Sequence, residues 1–125
     1  MRTCVRMTAQ GSAYTRLDRA LATGDPLIVR MAAVECPRLS TADALRIVMV
    51  HARGDAARYP RLAARWVAKV AREQPVSLTD LDVLVGALLD LGQDYAAGCR
   101  ALEQAAVELR LSDVAAAVRR HDPAR

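Results

Sequence analysis

The stretch Gly54 to Glu73, GDAARYPRLAARWVAKVARE, holds Arg58, Arg61, Arg65, Lys69 and Arg72. Their steps of 3, 4, 4 and 3 residues put all five on one face of a helix. Such a stripe can contact phosphates, meet an acidic protein surface, or stand in water with no partner. The last is tolerable, since like charges four residues apart cost roughly 0.2–0.5 kcal/mol per pair. Tyr59, Leu62, Ala63, Trp66 and Val70 form the opposite, apolar face, which must pack on a core. Acids follow downstream at Asp80, Asp82, Asp90 and Asp94. Residues 38–72 carry a net charge of +6 and residues 73–113 a net charge of −6. The acidic region is therefore a complement to the stripe, within one chain or in a second copy, which would make a homodimer.

Other residue types with chemical potential have plainer explanations. His51 and His121 each fall near an expected helix C-terminus, where the helix dipole favours a cation. His121 has no His, Cys or carboxylate partner at the i+3 or i+4 spacing of a helical metal site, and His51 has only Asp55 at i+4, too few ligands for one. Ser12, Ser40, Ser77 and Ser112 fall at expected helix starts or turns, and none lies in a nucleophile motif. Cys36, before Pro37, could be activated by Arg30 or Arg38, but a buried helix-end thiol is the simpler expectation. The carboxylate pairs Asp80–Asp82 and Asp90–Asp94 look solvated rather than sunk in an apolar pocket. The six glycines are scattered and form no phosphate loop. The expectation is a chain with no catalytic residues, no cofactor and no metal.

These residues need a scaffold, and the composition points to helices. Of 125 residues, 53% are hydrophobic, yet Phe is absent and Trp occurs once. The core must then be Ala, Leu and Val, which suit close helix packing. Of 18 cations all but Lys69 are Arg, a bias that GC-rich coding also produces, so the net charge of +4 says little about nucleic acid by itself. Three cysteines, with no CxxC spacing, suggest reduced thiols and a cytoplasmic setting. The opening residues lack the apolar run of a signal peptide. The longest apolar window, Val83 to Leu89, is far short of the ~20 residues that span a bilayer, so no membrane association is expected.

Caps and breakers divide the chain into about seven helices. Residues 1–11 read as a flexible N-terminus, 12–121 as one helical domain and 122–125 as a frayed end. Ser12 caps the first helix and Gly24 ends it. Asp25 and Pro26 start the second, which runs to Pro37. Ser40 with Asp43 starts the third, and Pro60 lies in the first turn of the fourth. Thr79 with Asp82 opens the fifth, which stops near Gly92. The sixth covers about Asp94 to Leu109, and the seventh begins at Ser112. Short connections make neighbouring helices antiparallel.

The helices also repeat. Leu39 to Gly54, LSTADALRIVMVHARG, aligns with Leu78 to Gly92, LTDLDVLVGALLDLG, and Leu111 to Asp122 opens like a third copy. Two-helix repeats of this length imply a short right-handed α-solenoid, with an orthogonal helical bundle as the alternative. The segment GDPLIVRMAA (Gly24 to Ala33) resembles the second-helix opening of HEAT-type repeats; GDAARYPRLAARW departs from it, with Arg58 where Ile28 stands. From about Ala13 to Leu91 the chain also resembles short all-helical proteins of GC-rich actinobacteria, through its glycine turn, Leu–Ser before DAL, and AARW (Ala63 to Trp66). That resemblance implies the fold and carries no activity.

The expectation for function is a non-catalytic scaffold or adaptor that contacts another protein or itself. Contact with nucleic acid through the Arg58–Arg72 face is the second expectation. No base-stacking aromatic accompanies those cations, which weighs against it.

Overall fold

The computed structural model describes residues 2–124, with side chains from residue 11 onward. Seven helices make up the described chain: α1 (Arg2–Thr23), α2 (Pro26–Ala33), α3 (Thr41–Gly54), α4 (Tyr59–Glu73), α5 (Leu78–Gln93), α6 (Tyr95–Glu108) and α7 (Ser112–His121). The fold is all-α, and no strand occurs among the described residues. No helix among them is long and apolar enough to cross a membrane.

Side chains set most boundaries. The Asp25 carboxylate accepts from the Leu27 N–H at 2.9 Å and starts α2. The Ser40 hydroxyl accepts from the Asp43 N–H and starts α3; the Asp94 carboxylate accepts from the Ala97 N–H and starts α6. Gly24 ends α1 at φ 70°, a left-handed conformation open to glycine.

Several starts differ from the sequence reading. α1 opens at Arg2, so Ser12 lies inside it, and its hydroxyl accepts from Arg16 rather than capping a helix. The cap of α5 is Ser77, not Thr79: Ser77 and Asp80 exchange both bonds of a capping box. Ser112 is the first residue of α7 and makes no capping bond. Gly92 is helical, within α5, and α2 stops at Ala33, three residues short of Cys36.

α3 is the axis of the molecule, buried without a break from Leu45 to His51. One side of it, through Leu45, Val48 and Met49, enters the main core with Trp66, Leu84, Leu88, Leu102 and Val118 from α4, α5, α6 and α7. The other side, through Ile47 and Val50, joins Leu17, Leu21 and Val29 of α1 and α2. The hairpins α1–α2, α3–α4 and α5–α6 form as expected, but α7 returns to pack along α3. An open solenoid would stack α7 on its sequence neighbours and leave it far from α3. Of the two architectures expected, the contacts are those of a closed bundle.

Candidate functional site

α4 is strongly amphipathic, and its burial follows the spacing. Tyr59, Ala63, Trp66 and Val70 are buried, while Arg58, Arg61, Arg65 and Arg72 are exposed and Lys69 is half-buried. Two of the five cations have local acids. Arg58 pairs with Asp55 at 3.1 Å, and Lys69 pairs with Glu73 at 2.7 Å. The Arg58 guanidinium holds the Asp55 carboxyl below the usual carboxylate range, and the Lys69 ammonium does the same for Glu73. Arg61, Arg65 and Arg72 form no ion pair among the described residues.

The acids divide by task. Asp80 is half-buried in the capping box of α5, and Asp94 is spent on the cap of α6. Asp82 and Asp90 are exposed on α5 with no ion pair among the described residues. No ion pair among those residues joins the stripe to any of the four acids. The complement expected within one chain does not form as contacts, because the acids lie on the next helix over and face outward.

Between α4 and α5 runs an apolar groove of about 500 Å³. Its α4 wall is Pro60, Ala64 and Val67, and its α5 wall is Val85, Leu88 and Leu89. Leu89 is 65% exposed and Val85 38% exposed. α4 and α5 touch less than α5 and α6, and one contact joins the start of α4 to the end of α5. There the Tyr59 hydroxyl donates to the Leu88 carbonyl at 2.6 Å, and its ring lies 3.1 Å from where a Cβ on Gly92 would be. Burial pushes the Tyr59 phenol up to about 12, so it stays a donor. This contact also fixes the pair as antiparallel. Counting along both helices from it puts Asp90 level with Tyr59 and Asp82 level with Val67.

A second charged cluster was not singled out from the sequence. Arg46 of α3 has a side chain only 8% exposed, and it pairs with Asp18 at 2.8 Å and Asp43 at 3.4 Å. Its Nε donates to His121 Nε2 at 3.2 Å, tying α3 to α7. Burial, followed by the nearby charges of Arg46, Arg120 and Arg53, drives the His121 imidazole down to about 4 and keeps it neutral. The available signal was Arg46 itself, a lone cation inside the aliphatic run ALRIVMVHA.

Cys36 and Cys99 are buried free thiols. Burial raises both, with the Glu35 charge adding to Cys36, whose thiol donates to the carbonyls of Ala13 and Ala32. Activation by Arg30 or Arg38 is not what the site provides. His51 is fully buried, with Nδ1 bonded to the Ile47 carbonyl at 2.8 Å. Among the described residues no group of three or more His, Cys, Asp or Glu could hold a metal ion.

No protein-family model, curated protein or solved structure matches this chain.

Proposed function

We propose that the protein is a non-catalytic helical module that associates with a second copy of itself through the outer face of α4 and α5. The observation that supports this reading is the open apolar groove between α4 and α5, on two neighbouring helices of which one carries exposed cations and the other exposed acids. Such a face is self-complementary under a two-fold axis running along the groove. The axis lays α4 of one copy over α5 of the other at the same level. Arg65 and Lys69 then oppose Asp82 of the partner subunit, and Arg58 and Arg61 oppose Asp90 of the partner subunit. Val85 and Leu89 enter the partner's groove and leave water. A two-fold axis across the helices would instead set Arg against Arg, which electrostatics disfavours. Another exposed apolar face, Leu27, Ile28 and Met31 of α2 with Val34 at its C-cap, has no matching acid ridge beside it. The two free buried thiols fit a reducing, cytoplasmic setting for this module.

Sedimentation velocity across a concentration series up to ~100 µM tests the reading. The expected result is a reversible dimer that weakens as salt rises. Leu89→Glu and the pair Arg61→Glu with Arg65→Glu should each return monomers that stay folded. Exchanging the charges within one chain, as Arg65→Asp with Asp82→Arg, should recover the dimer that either change alone weakens. A monomer throughout the series sinks the reading. If that monomer binds an oligonucleotide in a salt-dependent way that Arg61→Glu with Arg65→Glu abolishes, the stripe is a phosphate-contacting surface instead.

A further inference from the structure

A cavity of about 540 Å³ lies on another side of the molecule, where the ends of α1, α3 and α7 meet the start of α6. Its charged wall is Arg46, Arg53, Arg120 and Asp122, with His121 between them. Their charges are not all free. Arg46 is balanced by Asp18 and Asp43. Asp122 is buried, and its carboxylate accepts the Ala124 N–H at 2.9 Å. Arg53 and Arg120 have no ion-pair partner among the described residues, and both are exposed at the cavity. The Arg53 guanidinium is set over the Tyr95 ring, 4.8 Å from its centre, which limits where it can point. The Tyr95 hydroxyl in turn donates to the His121 carbonyl, so ring and guanidinium are positioned from α7.

Two residues of this wall keep a donor not spent on protein acceptors. Arg46 uses Nε on His121 and Nη1 on the two aspartates, and its Nη2 makes no hydrogen bond among the described residues. His121, neutral and accepting at Nε2, carries its proton on Nδ1, which has no protein acceptor among those residues. The opposite wall is apolar, from Leu21, Ala22 and Val50.

We propose that this cavity binds a small organic phosphate, with the phosphate on Arg53 and Arg120 and the organic part along Leu21, Ala22 and Val50. Arg53 and Arg120 offer two guanidiniums outside any ion pair among the described residues, and a phosphate monoester, dianionic near pH 7, has oxygens enough to engage both. Guanidinium donors match phosphate oxygens in bidentate pairs. Arg46 and His121, in the same wall, each keep a donor without a protein acceptor among the described residues. The volume exceeds what a phosphate ion alone fills and lies in the range of small-molecule sites. This site is separate from the α4–α5 face, so its fate does not depend on the dimer.

Calorimetry with phenyl phosphate, inorganic phosphate and phenol tests the assignment. Phenyl phosphate should bind more tightly than inorganic phosphate, and phenol should give no measurable heat. Arg53→Gln and Arg120→Gln, both at exposed positions, should each weaken phenyl phosphate about tenfold or more. Arg72→Gln, in the stripe on α4, should leave binding unchanged. In a parallel proton NMR titration, bound phenyl phosphate should raise the midpoint of His121, because the dianion offsets the cations around the ring. No heat from phenyl phosphate at millimolar concentration overturns the proposal. So does equal loss in Arg72→Gln, which would make binding a property of surface charge. Phenol binding as tightly as phenyl phosphate would also overturn it, and inorganic phosphate matching phenyl phosphate would remove the organic half of the site.

Discussion

The Trp66 indole N–H donates to the Thr41 carbonyl at 2.9 Å, which stitches the middle of α4 to the first turn of α3. The ring is 2% exposed and is the largest side chain in a core built mostly from Leu, Val and Ala. Small neighbours collapse poorly into a large void. Trp66→Ala should therefore cost about 3–5 kcal/mol in urea unfolding. Trp66→Phe fills most of the space and loses the donor, and should cost about 1–3 kcal/mol. Equal losses in the two variants would mean the hydrogen bond, and not the volume, dominates.

α5 and α6 make the closest helix pair in the bundle, and Gly98 is the reason. A Cβ added there would lie 2.2 Å from the Leu91 Cα and 2.4 Å from its nitrogen. Backbone cannot yield as a side-chain tip does, so Gly98→Ala must push the two helices apart. The expected cost is about 1–3 kcal/mol or more, read as a lower melting temperature. Gly86 is the control, since nothing lies within 4 Å of the Cβ it lacks. Gly86→Ala, in the middle of α5, should stabilise by about 0.5–1 kcal/mol through helix propensity alone.

Arg110 sits between α6 and α7 at φ 61°, the left-handed region, although it is not glycine. The Leu111 N–H reaches back to the Ala106 carbonyl at 2.8 Å and closes the end of α6 in this form. Arg110→Gly should relieve about 1 kcal/mol of this strain. Arg110→Val, whose branched Cβ resists that conformation, should destabilise, and thermal melts of the pair give opposite signs.

Local chemistry is what the sequence made legible. Asp25 and Ser40 each cap the helix that follows, because a cap needs only its own next three residues. The buried face of α4 followed from spacing for the same reason. Where the segment SLTDLD offers two caps at equal spacing, Ser77 with Asp80 and Thr79 with Asp82, spacing alone could not choose between them. Apolar faces show that a helix is covered, not by which partner, so the return of α7 to α3 was hidden. Arg110 carried no glycine to mark its turn, and Gly98 looked like any small residue in an Ala-rich helix. The charges of α4 and α5 were visible, while the groove between the two helices depends on how they cross. The cluster around Arg46 joins residues from the early, middle and last parts of the chain, and no local pattern connects them.

His121 should give the stability curve a slope at mildly acidic pH. In the fold its imidazole is held near 4 by burial and by Arg46 and Arg53 of α3 and Arg120 of α7, against an ordinary value of 6.5. Above pH 6.5 neither folded nor unfolded chain holds the proton, and the contribution is complete. As pH falls from 6.5 to about 4, the unfolded chain takes up a proton that the folded chain refuses, so stability drops. Below about 4 both states are protonated and the effect is exhausted. The loss across the window should be about 2 kcal/mol, after allowance for solvent reaching one side of the ring. Asp55 and Glu73, held low by Arg58 and Lys69, begin to lose their own contributions as pH falls through their ordinary values of 3.8 and 4.5, so Glu73 overlaps the acid end of this window. His121→Gln keeps an oxygen that can accept from Arg46 and removes the titration. Urea unfolding from pH 4 to 7 should show a rising stability in the natural chain and a flatter line in this variant. A slope of equal size in both would assign the effect to other groups and leave His121 charged in the fold.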